Sequence, residues 1–125
     1  MKLNLDKTLT VICDLKMTET IFRNLISNAF KYTNPGGIVE ITSRELSGNE
    51  TEVNITDTGI GMSKDLLSKL FKVNEQVSRK GTEGESSSGL GLLICKEFVE
   101  RQEGRIWAES VENKGSTFHF TLKKV

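Results

Sequence analysis

Proline occurs once in this chain, histidine once and cysteine twice, and 17 basic against 17 acidic side chains leave no formal net charge. Each scarcity removes a class of function. A neutral balance gives no long-range field toward nucleic acid or an anionic membrane, so neither is expected as a partner. One histidine (His119) and two distant cysteines (Cys13 and Cys95) make a poor start for a zinc site, which needs close N and S ligands. The cysteines sit in apolar company and are expected as buried, reduced thiols of a cytoplasmic protein. No run approaches the roughly 18 apolar residues that span a bilayer. The opening, MKLNLD, is polar and mixed, without the features of a secretory signal. There is no internal repeat. What remains is 125 residues, 36% hydrophobic and 27% charged, which suits a single domain over 1–125 with one core.

Periodicity divides the chain simply. Residues 8–13 (TLTVIC) predict a strand. A helix follows from the caps in 14–18 to about Tyr32, and TNPGG (33–37) stops it. IVEITSREL (38–46) and TEVNIT (51–56) alternate as two strands around the turn SGNE. Ser63 caps a short helix through Phe71. Residues 74–88 are polar, glycine-dotted and without period, and a loop of that length inside a compact domain is usually functional or disordered. GLGLLICKEFVERQEG (89–104) predicts an amphipathic helix. RIWAES (105–110) and STFHFTL (116–122) close the chain as strands around VENKG. This order suggests an α+β domain, with a mostly antiparallel sheet and its helices on one face.

Three stretches hold residues that a plain scaffold does not require. In NLISNAFKYT, the side chains of Asn24, Asn28 and Lys31 stack along one helix face, although asparagine is a mediocre helix former. An asparagine carbonyl can ligate Mg²⁺, and a lysine one turn on can meet phosphate. The plainer alternative is that the amides cap neighbouring loops. In DTGIGM, Asp57 ends a strand and Gly59 and Gly61 permit close approach: either a simple strand-to-helix turn, or an acceptor for a ligand amine with room for a planar ring. GLGL (89–92) opens a helix, where outward amides suit phosphate oxygens. It is neither a P-loop, since no GK[ST] follows, nor a dinucleotide fingerprint, since a third glycine is missing.

In order, the motifs read N-x3-N-A-x-K-Y, D-x-G-x-G, a long loop, G-x-G-L and K-G-S-T-F. Together they resemble the ATP-binding catalytic domain of sensor histidine kinases, in the GHKL ATPase superfamily, over almost the whole chain. KLF (69–71) and GRIWAESVENKGSTFHFTL resemble it too. The resemblance implies the Bergerat fold, a two-layer α/β sandwich of a mixed, largely antiparallel sheet under three helices. It implies ATP and Mg²⁺ as cofactors. Asn28 would ligate the metal with Asn24 in support, Lys31 would contact phosphate and Tyr32 would flank the nucleotide. Asp57 would bond the adenine amine within a pocket shaped by Gly59 and Gly61. Gly89, Leu90, Gly91 and Leu92 would offer amides to phosphates, and Thr117 would close the adenine pocket. Residues 74–88 would form the ATP lid.

Two departures qualify the resemblance. Efficient ATP hydrolysers of the superfamily carry a glutamate base one turn before the metal asparagine; here Asn24 stands there, and Glu19 lies too far back to replace it. Many members place an arginine soon after the KLF phenylalanine; this chain offers Lys72, Arg79 and Lys80, the last two as γ-phosphate candidates. His119, in an alternating strand, is not expected as a phosphoacceptor. The chain therefore reads as the catalytic part of a larger kinase, monomeric, with the histidine-bearing dimerisation helices and a response regulator as partners. The rival readings are a stand-alone serine kinase of the anti-sigma type and a nucleotide-binding scaffold without catalysis.

Overall fold

A computed structural model describes residues 2–4, 11–72, 79–80, 86–87 and 90–124. Along them run β1 (Lys2–Asn4), β2 (Val11–Ile12), α1 (Leu15–Lys31), β3 (Val39–Leu46), β4 (Glu50–Asp57), α2 (Lys64–Lys69), β5 (Arg79–Lys80), β6 (Ser86–Ser87), α3 (Leu90–Arg101), β7 (Ile106–Val111) and β8 (Gly115–Lys124). Asp14 starts α1 by accepting the Met17 amide on Oδ1 at 2.9 Å, one of the orphan donors of a helix start. Thr33 finishes it by donating its hydroxyl to the Ala29 carbonyl at 2.7 Å, and Pro35 follows. Ser63 caps α2 in the same manner as Asp14 caps α1, accepting from Leu66 at 3.1 Å.

The main sheet has the order β1-β3-β4-β8-β2, and β7 also pairs with β8. β1 lies parallel to β3, and every other pair in that sheet is antiparallel. The sheet is thus mixed and largely antiparallel, as expected. Direct pairing puts Ile41, Ile55 and Phe118 in one row and Val53 and Phe120 in the next. These side chains are buried with Ile21, Leu25 and Ala29 of α1 and Cys95 and Val99 of α3. Phe22 meets Phe120 edge-on at 5.3 Å, and Phe71 meets Phe118 at 6.4 Å. Each such burial contributes about 1.5–3 kcal/mol, which makes this helix-covered face the main source of stability. The architecture is an α/β sandwich.

The other face of the sheet is polar but not bare. His119 stacks on Trp107 at 4.9 Å and is hydrogen-bonded through Nδ1 to Asn54. Glu109 Oε1 lies 2.8 Å from His119 Nε2, out of line for a hydrogen bond. Arg44 Nε pairs with the buried Glu52 carboxylate at 2.7 Å.

Some expectations shift. Of the strand expected over 8–13, residues 8–10 lie outside the described residues, and β2 holds Val11 and Ile12 only. Cys13 is exposed, not buried, because it falls between the strand end and the Asp14 cap; Cys95 is buried as expected. Within 74–88, Arg79 pairs with Ser87 and Lys80 with Ser86 in a short antiparallel ladder, so the segment is not wholly without regular structure. The rest of it lies outside the described residues. No helix among the described residues is long and apolar enough to cross a membrane.

Candidate functional site

The end of β4 gathers the polar residues of interest. Asp57 is the last strand residue and is buried, and its Oδ1 accepts the Gly59 amide at 2.9 Å. That bond fixes the rotation of the carboxylate. The following loop runs against the end of α1, where the Ile60 amide donates to the Tyr32 carbonyl at 2.9 Å. A Cβ on Gly59 would stand 1.9 Å from that carbonyl oxygen, so only glycine allows the approach. Gly61 has φ +66°, and a Cβ there would stand 2.1 Å from the Val111 carbonyl oxygen. The two glycines therefore serve the packing of α1 and the β7–β8 hairpin around Asp57. Tyr32 is buried in the same place.

Asn24, Asn28 and Lys31 follow one another up α1, at the spacing of one helix face. Asn24 reaches α3: its Oδ1 lies 3.2 Å from where a Gly91 Cβ would be, and its side chain stands near the Cys95 thiol. Asn28 and Lys31 are half-buried. Leu90, Gly91 and Leu92 form the first turn of α3, whose amides lack intrahelical partners. The Leu92 side chain itself belongs to the core. Helix α1 thus brings Asn24 to the N-terminal turn of α3, while its far end meets the Asp57 loop. Gly89 lies outside the described residues, as do the side chains of Arg79, Lys80 and Leu90.

Thr117 and Asp57 line the same open cavity at the end of the sheet, but from opposite faces. Thr117 pairs with Thr56, hydroxyl to hydroxyl at 3.0 Å, on the sheet face opposite Asp57. The residue opposed to Asp57 is Ser116, buried and missed by the sequence reading. Strand parity could have found it, since Ser116 alternates in step with the core residues Phe118 and Phe120. His119 lies with Thr117 on the far face.

The arrangement fits a nucleotide with a metal. A buried carboxylate suits an exocyclic amine, and the amides of the α3 start suit phosphate. Among the described residues no three His, Cys, Asp or Glu side chains gather into a metal cage. A Mg²⁺ ion would lean on Asn28 and on nucleotide oxygens, the mixed set this ion accepts.

Comparison with known proteins points to an ATP-binding domain. Residues 13–125 match the family model for the histidine kinase-, DNA gyrase B-, and HSP90-like ATPase. The adaptive-response sensory kinase SasA of Synechococcus elongatus is 37% identical over 113 residues, 90% of this chain and 29% of that protein. The sensor histidine kinase WalK of Bacillus subtilis is 38% identical over 121 residues, 94% of this chain and 19% of its own length. The chain thus spans under a third of either relative. Among solved structures, a mycobacterial sensor histidine kinase, MprB, has a TM-score of 0.82 at 25% identity, over 98% of this chain and 80% of that one. The nucleotide-free catalytic domain of histidine kinase ThkA has a TM-score of 0.78 at 28% identity, over 98% and 78%. ThkA in complex with response regulator TrrA matches at 0.76 and 25% identity, over 98% and 33%.

Proposed function

Because this chain belongs to the histidine kinase-, DNA gyrase B- and HSP90-like ATPase family, as an ATP-binding domain of the sensor histidine kinase type, we propose that it binds Mg²⁺–ATP and donates the γ-phosphoryl group to a histidine. That histidine belongs to a separate dimerisation and phosphoacceptor region in two-component signalling. The observation that carries the reading is the buried Asp57, held by the Gly59 amide where α1 and the β7–β8 hairpin converge.

Each residue has a physical task. Asp57 accepts the adenine amine, and Tyr32 flanks the nucleotide. Asn28, supported by Asn24, holds Mg²⁺; Lys31 faces phosphate as a point charge. Bound Mg²⁺ would neutralise charge on the phosphate oxygens, the main requirement of phosphoryl transfer. The amides of Gly89, Leu90, Gly91 and Leu92 orient the phosphates, and Arg79 and Lys80 are the γ-phosphate candidates. Asn24 stands where hydrolysing relatives hold a glutamate, and an amide is a poor proton acceptor, so water is activated weakly and the phosphoryl group is kept for histidine. The partners proposed are ATP and ADP, the histidine-bearing helices and a response regulator, and the domain alone is proposed to be a monomer.

The test is calorimetric titration with ADP and a non-hydrolysable ATP analogue, first with Mg²⁺ and then with EDTA. Binding that weakens in EDTA is expected; no binding in either condition would sink the proposal. Phosphotransfer to an added histidine hairpin, but not to a serine-bearing partner, would separate the histidine kinase from the serine kinase.

A further inference from the structure

Ser110, on β7, has no place in the scheme above, yet three polar groups beside Asp57 converge on it. Its Oγ accepts the Met62 amide at 2.8 Å. The same oxygen lies 3.0 Å from the Gly115 carbonyl, to which it can donate, and 2.8 Å from Ser116 Oγ. Ser110 opposes Ser116 across β7 and β8, and Ser116 opposes Asp57 across β8 and β4. The three side chains therefore form one row across three strands, on the helix-covered face. Met62, bonded to the row's far end, closes the D-x-G-x-G-M loop.

A count of protons orients the row. A serine hydroxyl has one proton and two lone pairs. The Met62 amide occupies one lone pair of Ser110. When Ser110 donates its proton to the Gly115 carbonyl, the contact with Ser116 is a bond only if Ser116 donates to the second lone pair. The proton of Ser116 is then spent, and its own lone pairs stand beside the Asp57 carboxylate. With the proton of Ser110 on the Gly115 carbonyl, the row offers a ligand only acceptors. A base carrying an amine finds partners there, whereas one carrying a carbonyl in the same place meets like against like.

We propose that Ser110 is a positioning residue that holds Ser116 as a hydrogen-bond acceptor and so sharpens selection of an aminopurine over an oxopurine. This rests on the reading that Asp57 takes the adenine amine. Calorimetry with ADP and with inosine diphosphate tests it on the whole chain. Ser110→Ala is expected to weaken ADP roughly three- to tenfold, as loss of a buried hydrogen bond does, with inosine diphosphate nearly unchanged. Ser110→Thr, which keeps the hydroxyl, should restore the wild-type ratio. Ser116→Ala covers the case in which Ser110→Ala fails to fold: it should contract the ratio alike, and the double variant should add little. Equal losses for both nucleotides, or an unchanged ratio in both alanine variants, would overturn the role of Ser110 while Asp57 kept its own. A wild-type chain that bound the two nucleotides alike, or neither, would instead overturn the base assignment beneath it.

Discussion

On β8, Ser116, Phe118, Phe120 and Leu122 point toward the helices, while Thr117 and His119 point the other way with Thr56, Asn54, Trp107 and Glu109. The inner set is apolar until its last member, and there the candidate site begins. The outer set is polar apart from Trp107 and is tied by hydrogen bonds and one aromatic stack. A single strand thus separates two kinds of work one residue at a time. Burial on the inner face provides stability and delivers Asp57 and Ser116 to the end of the core. The outer face orders its polar groups among themselves.

The division can be broken or sharpened by substitution. Phe120→Ala, inner and fully buried, is expected to cost about 3–5 kcal/mol in urea unfolding, the range for emptying an aromatic core site. Asn28→Ala should leave the fold nearly unchanged and lower Mg²⁺-dependent nucleotide affinity about a hundredfold, at or above the cost of losing an outer-shell metal partner; normal affinity in calorimetry would remove the metal assignment.

The outer face makes its own prediction through Glu52. Burial opposes its charge, but the Arg44 hydrogen bond and charge, with Asn54 and His119, outweigh burial together and hold its pKa below the ordinary 4.5. A carboxylate with a lower pKa folded than unfolded contributes fully above the unfolded value, and that contribution is lost as pH falls through the folded one. Urea midpoints between pH 7 and pH 3 should therefore fall more for the wild type than for Glu52→Gln. The smallest effect belongs to Thr117→Ala, with nucleotide affinity changed by about twofold or less, as for a surface site on the sheet face opposite Asp57. A loss as large as that from Ser116→Ala would erase the distinction between the faces.

Most of the architecture was legible in the sequence because its signals are local. Asp14 and Ser63 announce their helices, TNPGG ends one, and the alternation of 38–46 and 51–56 needs only a turn to make a hairpin. The line of Asn24, Asn28 and Lys31 could be read from helical spacing alone. The rest depended on what lies across a strand or a helix seam. Read as a string, KGSTF does not say which of Ser116 and Thr117 shares a face with Asp57; the pleat does. Cys13 looked buried because TLTVIC is apolar, but the Asp14 cap draws the chain out of the sheet at that point. The ladder between 79–80 and 86–87 has no alternating pattern to betray it.

The seam between α1 and α3 has a chemical consequence. Cys95 is enclosed there, bonded to the Ile21 carbonyl and near the Asn24 side chain, and burial pushes its thiol up to about 12 despite Asn24. An electrophile meets that sulfur as a reactive thiolate only when the two helices part. Cys13, exposed on the same chain, reacts without that delay. The molecule therefore carries a slow and a fast thiol, a built-in stopwatch for how often the helix that bears the asparagines lets go of the helix that begins with GLGL.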